Sequence, residues 1–152
     1  MKLAIMQPYF MPYVGYFQLI NSVDQFIIYD NIQYTKKGWI NRNRILVNGK
    51  DQLITLPLKK DSDYLNVMER ELSIFWDKDK NKMLNIIKSS YNKAPYFQEA
   101  FELISKCLNN PEVNLFRFIY DSIVLINSYL EIKTPIIISS SINAIVGGKK
   151  FH

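Results

Sequence analysis

MKLAIMQPYFMPYVGYFQLINSVDQFIIYD, residues 1–30, is the stretch that decides how this chain folds. Residues 2–6 form a short apolar run that stops at Gln7-Pro8, the pattern of a buried strand. Pro8, Pro12 and Gly15 interrupt any helix across residues 8–15 and mark a loop. From Tyr13 to Asn21, Tyr16, Phe17, Leu19 and Ile20, with Val23 just beyond, have the spacing of a short helix. Phe26-Ile27-Ile28-Tyr29 then reads as a second buried strand, closed by Asp30-Asn31. Strand, loop, helix and strand within about 30 residues is the size of a βαβ unit with a right-handed crossover.

Working outward, residues 30–44 are polar and basic, and two apolar runs follow, 44–47 and 52–56. They are separated by Asn48-Gly49, a pair that tolerates positive φ and so predicts a hairpin. Pro57 closes the second run. Three helices are expected next, over 77–91, 95–108 and 112–130. Met83, Ile87 and Tyr91 lie on one face of the first. Phe97, Ala100, Phe101, Ile104 and Leu108 do so on the second, and Leu115, Ile119, Ile123, Ile126 and Leu130 on the third. Residues 135–139 read as a late buried strand. The fold class expected is α/β: a Rossmann-like, mainly parallel sheet with flanking helices and one antiparallel β-hairpin. One domain is expected over 1–146, with a flexible tail at 147–152. Ligands of such sheets sit beyond the carboxyl ends of the strands. The loops at 7–15, 30–41 and 139–143 are therefore expected to gather there.

Composition narrows the chemistry. Apolar residues make up 48% and charged residues 22% of 152 residues, which excludes disorder as the governing property. A single cysteine, Cys107, excludes an internal disulfide, and no run approaches the roughly 20 apolar residues of a membrane helix. With an amino terminus unlike a signal peptide, a cytoplasmic setting is expected. The net charge of +5 is concentrated: residues 31–60 carry Lys36, Lys37, Arg42, Arg44, Lys50, Lys59 and Lys60 against Asp51 alone. Such a patch favours an anionic partner. The one histidine is His152, so neither a histidine-based triad nor a histidine-rich metal site can be built. Neither GxxxxGK[ST] nor GxGxxG occurs, and Gly147-Gly148-Lys149-Lys150 lacks the following helix of a phosphate loop. Cys107 lies on an apolar helix face and reads as core. The sequence names no cofactor and no metal.

Two segments remain. In QPYFMPYVGYF, residues 7–17, prolines fix the backbone while tyrosines offer flat faces with hydroxyl tips. In DNIQYTKKGWINRNR, residues 30–44, an acid at a strand end is followed by amides, a tryptophan and alternating Asn and Arg. Arginine forks hold phosphate or carboxylate, and amides read hydroxyls or base edges. The strings MQPYFMPYVGYFQLI, DQFIIYDNIQY, KKGWINRNRI and LITLPL resemble, in order and spacing, the WbqC-like protein family of bacterial surface-polysaccharide (O-antigen) biosynthesis. That resemblance implies a bacterial protein of lipopolysaccharide assembly and a transferase acting on an activated sugar. Gln7, Tyr9, Asp30, Gln33, Trp39, Asn41, Arg42 and Asn43 carry over as site candidates.

In this reading Arg42, Arg44 and Lys37 hold the phosphates of a nucleotide-linked or lipid-linked sugar. Asn41, Asn43 and Gln33 read hydroxyls, and Trp39, Tyr9 or Tyr13 face a ring. Asp30 is the catalytic candidate. Neighbouring cations are expected to lower its pKa, which suits orienting a substrate amine better than taking a proton. Two departures stand against the family pattern: Asn31 replaces a second acid, and the chain is shorter than most members. The layout resembles more distantly the nucleotidyltransferases with an HxGH loop. Tyr13-Val14-Gly15-Tyr16 stands in that place without either histidine, which disfavours adenylyl transfer. A homodimer, or docking onto another enzyme of the pathway, is an expected association. A non-catalytic sugar-nucleotide-binding or scaffold role is the main alternative. Single-stranded nucleic acid ranks last, because no known nucleic-acid motif appears.

Overall fold

The computed structural model describes residues 1–142 in full and, as backbone only, 144–146 and 149–151. The opening βαβ unit forms as the apolar pattern dictates: β1 is Leu3–Met6, α1 is Val14–Asn21 and β2 is Gln25–Ile28. β1 and β2 pair in parallel, Leu3 opposite Gln25 through Met6 opposite Ile28. The hairpin is β3, Arg42–Val47, and β4, Lys50–Thr55, with Asn48 and Gly49 both at positive φ (50° and 75°). That is the left-handed pair a two-residue turn requires. β3 starts two residues earlier than the apolar run suggested, so the Asn-Arg alternation is itself strand.

The helices α2, Trp76–Tyr91, α3, Phe97–Leu108, and α4, Leu115–Tyr129, match their periodic patterns. Asn114 caps α4, its side-chain oxygen accepting the Arg117 N–H at 3.0 Å. β5, Ile136–Ile138, then returns the chain to β2 in parallel, Ile28 opposite Ile138. The result is a Rossmann-like mixed α/β arrangement: a parallel sheet in the order β1-β2-β5 and the antiparallel β3-β4 pair. Half of the tail expected at 147–152 lies outside the described residues. What is described is β7, Lys149–Phe151, paired antiparallel with β6, Ala144–Val146.

The core explains the helix faces. Tyr16 and Ile20 of α1, Phe26 and Ile28 of β2, and Leu115, Phe118, Ile119 and Ile123 of α4 are all fully buried in one cluster. The Tyr16 and Phe26 rings meet edge to face at 5.4 Å. One expectation is corrected here. The three parallel strands read as buried on both faces, but only the face bearing Ala4, Met6, Phe26, Ile28, Ile136 and Ile138 packs into the core. Leu3 and Ile5 point away from it and stay exposed. A run of apolar residues marks what a strand could bury, not how many layers lie against it.

Candidate functional site

The loop after β1 is held from three sides. Phe10 is fully buried and its N–H donates to the Ile40 carbonyl at 2.9 Å. The Tyr16 hydroxyl reaches back from α1 to donate to the Gln7 carbonyl at 3.0 Å. Asn43 on β3 donates through Nδ2 to the carbonyls of Phe10 and Met11, and its Oδ1 accepts the Arg44 N–H at 2.7 Å. Met11 adopts a left-handed φ of 47°, so these contacts hold a backbone bend that a non-glycine residue rarely takes. Held this way, the loop places Tyr9, Pro12 and Tyr13 along one wall of a cavity. Tyr13 bends over Gly15, where a Cβ would stand 2.3 Å from the Tyr13 ring.

The rest of the lining is Trp39, at the end of the 35–39 turn, with Asn43 and Arg44 of β3. The Gly38 N–H donates to the Thr35 carbonyl at 3.0 Å, and Arg42 donates to the carbonyls of Gly38, at 2.7 Å, and Lys37. The Arg42 guanidinium lies 5.7 Å from the Trp39 ring centroid and that of Arg44 lies 6.0 Å from it. Stacked cations keep the ring standing at the surface, 47% exposed. Between the walls is a cavity of about 330 Å3 lined by Tyr9, Pro12, Tyr13, Trp39, Asn43 and Arg44. Its chemistry is flat aromatic faces with a cationic rim, suited to a ring that carries polar or anionic substituents.

The remaining sequence candidates divide by what their polar atoms already do. Asn41 is buried; it accepts the Tyr34 hydroxyl at 2.9 Å and donates to the Leu56 carbonyl at 2.9 Å. Gln33 donates to the Asp63 carbonyl at 3.2 Å, and Gln7 receives the Tyr9 hydroxyl at 3.5 Å. Arg44 pairs with Asp51 at the surface. Lys37 is exposed beside the turn that Arg42 braces. Hence Tyr9, Tyr13, Trp39, Asn43 and Arg44 meet at one cavity, while Asn41 and Gln33 stabilise loops and do not line it.

Asp30 lies in a second place, where β2 and β5 end together. It is 2% exposed. One carboxylate oxygen accepts the Ser139 hydroxyl at 2.7 Å and the Ser140 N–H at 2.9 Å, and the other accepts the Ser140 hydroxyl at 2.6 Å. Burial pushes this carboxyl up, but the Ser140 and Ser139 bonds outweigh it and hold it below the usual carboxylate range. The direction is the one anticipated; the cause is not. Serines, not the cations of residues 36–44, set it. The Ser139–Ser141 turn does reach the strand ends, as the loop convergence predicted. There Asp30 and Ser140 border a cavity of about 450 Å3 together with Glu112, Asn114 and Arg117. No sequence signal joined those last three to Asp30, since eighty or more residues separate them.

One further group was missed. Arg70 is buried; it donates to the Ser62 carbonyl at 2.8 Å and its guanidinium stacks 4.7 Å from the Tyr34 ring centroid. Nothing in its local sequence distinguishes it from a surface arginine. Cys107, read as core, is buried, and burial pushes its thiol up to about 11. Among the described residues no group of three or more His, Cys, Asp or Glu gathers as a metal site. Among them, too, no helix is long and apolar enough to cross a membrane.

A model of the WbqC-like protein family matches residues 7–150. An uncharacterized protein of Mycobacterium tuberculosis is 35% identical over 136 residues, which cover 88% of this chain and 58% of that protein. The chain thus spans less than two thirds of the length of this relative. No solved structure matches it significantly.

Proposed function

The chain belongs to the WbqC-like protein family, and from that premise we propose that it binds a nucleotide-linked or lipid-linked sugar and serves a transferase that modifies it in bacterial lipopolysaccharide and O-antigen assembly. The observation that carries this reading is the cavity between Tyr9, Tyr13 and Trp39 with Arg44 on its rim. Aromatic faces bind the apolar side of a sugar ring or a base, and a rim arginine meets phosphate in bidentate fashion. Arg42 keeps the role of bracing the Trp39 turn, and Lys37, exposed in that turn, offers a second phosphate contact. The reaction belongs to the cytoplasm in this reading, with a second copy or another pathway enzyme as protein partner.

A second reading, a non-catalytic binding protein of the same pathway, is favoured by one observation. Asp30, the sequence's general-base candidate, has both carboxylate oxygens occupied by serine and backbone donors. A depressed, fully bonded carboxylate is a poor proton acceptor and a good anchor.

A thermal-shift screen against nucleotide-linked amino sugars, free nucleotides, coenzyme A esters and short single-stranded DNA tests both. A ligand at about 100 times its dissociation constant stabilises the fold by roughly 2.7 kcal/mol. The expected hit is a sugar nucleotide whose shift falls by half or more in Trp39→Ala. A shift with DNA alone overturns the sugar reading. A sugar-nucleotide shift with no turnover on any pathway acceptor selects the binding protein over the transferase.

A further inference from the structure

The cavity of about 450 Å3 that Asp30 borders lies beyond the carboxyl ends of β2 and β5, where ligands of parallel sheets bind. It shares no lining residue with the aromatic cavity. Two carboxylates and one guanidinium line it, those of Asp30, Glu112 and Arg117. Among the described residues none of these three is in an ion pair, whereas Lys36, Arg44, Lys59, Lys80 and Lys82 each have a carboxylate partner. Charges of both signs thus stand around one space without neutralising each other. For Asp30 the charge is also buried. A carboxylate taken out of water is costly unless hydrogen bonds and a counter-charge compensate it.

Each pole is held in place. The donors to Asp30 are the Ser139 and Ser140 hydroxyls and the Ser140 N–H, none of them a cation. Ser140 gives its hydroxyl proton to Asp30 at 2.6 Å, so its oxygen offers the cavity lone pairs with a negative charge directly behind them. Glu112 accepts the Val113 and Asn114 N–H groups through one oxygen, at 2.8 and 2.9 Å, which leaves the other for a ligand. The positive pole is the start of α4. Its cap, Asn114, is tied at both ends: it takes the Arg117 N–H and donates through Nδ2 to the Met68 carbonyl at 2.7 Å. The first turn of α4 contains no acidic residue, so Arg117 adds to the positive end of the helix dipole. Met68, Phe116 and Ile138 supply the apolar lining.

These walls select by charge. A simple anion is drawn to Arg117 but meets two carboxylates. A simple cation meets Arg117, and no group of three His, Cys, Asp or Glu gathers for a metal among the described residues. A small molecule carrying both charges satisfies both poles. We propose that this cavity binds a free amino acid as its zwitterion. Its ammonium rests on the Ser140 oxygen and Glu112 with Asp30 behind them, its carboxylate on Arg117, and its carbon skeleton against Met68 and Ile138. The site goes beyond the sugar reading and stands without it.

Titration calorimetry of the whole chain tests this with glycine, L-valine and γ-aminobutyrate, and with isobutylamine and isovalerate, which carry one charge each. At least one of the three zwitterions should bind one-to-one with a dissociation constant of roughly 1 mM or below. Both single-charge compounds should bind at least about tenfold more weakly, the worth of one charged hydrogen bond. Arg117 is exposed and Glu112 half-buried, so neither Arg117→Ala nor Glu112→Gln empties the core. Each should weaken the best zwitterion by about tenfold or more with the thermal midpoint unchanged. No binding of any zwitterion up to roughly 10 mM would overturn the proposal. So would isobutylamine or isovalerate binding as tightly as the best zwitterion, or zwitterion binding that survives both substitutions.

Discussion

At the scale of single residues, the same amino-acid type does unlike work within a few positions. Asn41 and Asn43 stand on one side of an alternating run, yet Asn41 holds Tyr34 and Leu56 together inside the core while Asn43 props the loop above a cavity. Trp39 offers that cavity an exposed indole face. Replacing it with alanine should weaken ligand binding by ten- to a hundredfold, as stacking energies of about 1–3 kcal/mol imply, and titration calorimetry reads this directly. Trp76, buried against Phe118 at 5.7 Å, should report on folding instead of on the ligand. Asp30 makes the pH prediction. Its folded pKa lies below the unfolded value, near 3.9 for an aspartate. It therefore contributes stability that is fully present above that value and is lost as pH falls through the folded pKa. The gap in denaturation midpoint between the wild type and Asp30→Asn should be widest near pH 6 and should shrink steadily below pH 4. Ser140→Ala should raise the carboxyl's pKa, followed by carbon NMR of the labelled aspartate.

At the scale of elements, the start of α1 links a backbone choice to the cavity. Alanine at position 15 improves helix propensity by up to about 1 kcal/mol, but its Cβ would fall 2.3 Å from the Tyr13 ring. The ring must leave its position over the helix. Gly15→Ala should thus keep or raise the thermal midpoint while lowering affinity for the cavity's ligand, a split that binding and melting measured on one sample would reveal. The elements themselves were legible because each is written in local spacing. The Asn48-Gly49 turn, the period of α4 and the apolar runs of β1 and β2 need no distant information. What stayed hidden depends on partners far along the chain. Burial of Arg70 under Tyr34, and Arg117 and Glu112 beside Asp30, follow from contacts that no window of a dozen residues contains. The cavity was half legible. Tyr9, Tyr13, Trp39, Asn43 and Arg44 do converge, but the sequence had no way to separate them from Asn41 and Gln33, whose hydrogen bonds close inward.

At the scale of the whole molecule, charge and topology set the behaviour. The basic stretch 31–60 is partly neutralised by pairs such as Lys36 with Asp63, 2.7 Å apart, and Lys59 with Glu71, 2.8 Å apart. Both are exposed and so contribute little stability. A sugar nucleotide held through one or two phosphates should lose affinity only modestly between 50 and 200 mM salt, whereas many phosphate contacts to a nucleic acid would cost on the order of a thousandfold. An affinity series over that range separates the two. Topology has a consequence in time. The β1-α1-β2 unit is complete within the first 28 residues, but β2 must wait for Ile136–Ile138 to arrive from the far side of three helices. Closing so long a loop delays a contact even when it is strong once made. A chain emerging from the ribosome can thus build its first two strands early and is committed to its third only once Ile136–Ile138 has emerged. The bonds from Asp30 to Ser139 and Ser140 then act as the latch on that third strand, and until it shuts the β5 side of β2 remains open to the wrong neighbour.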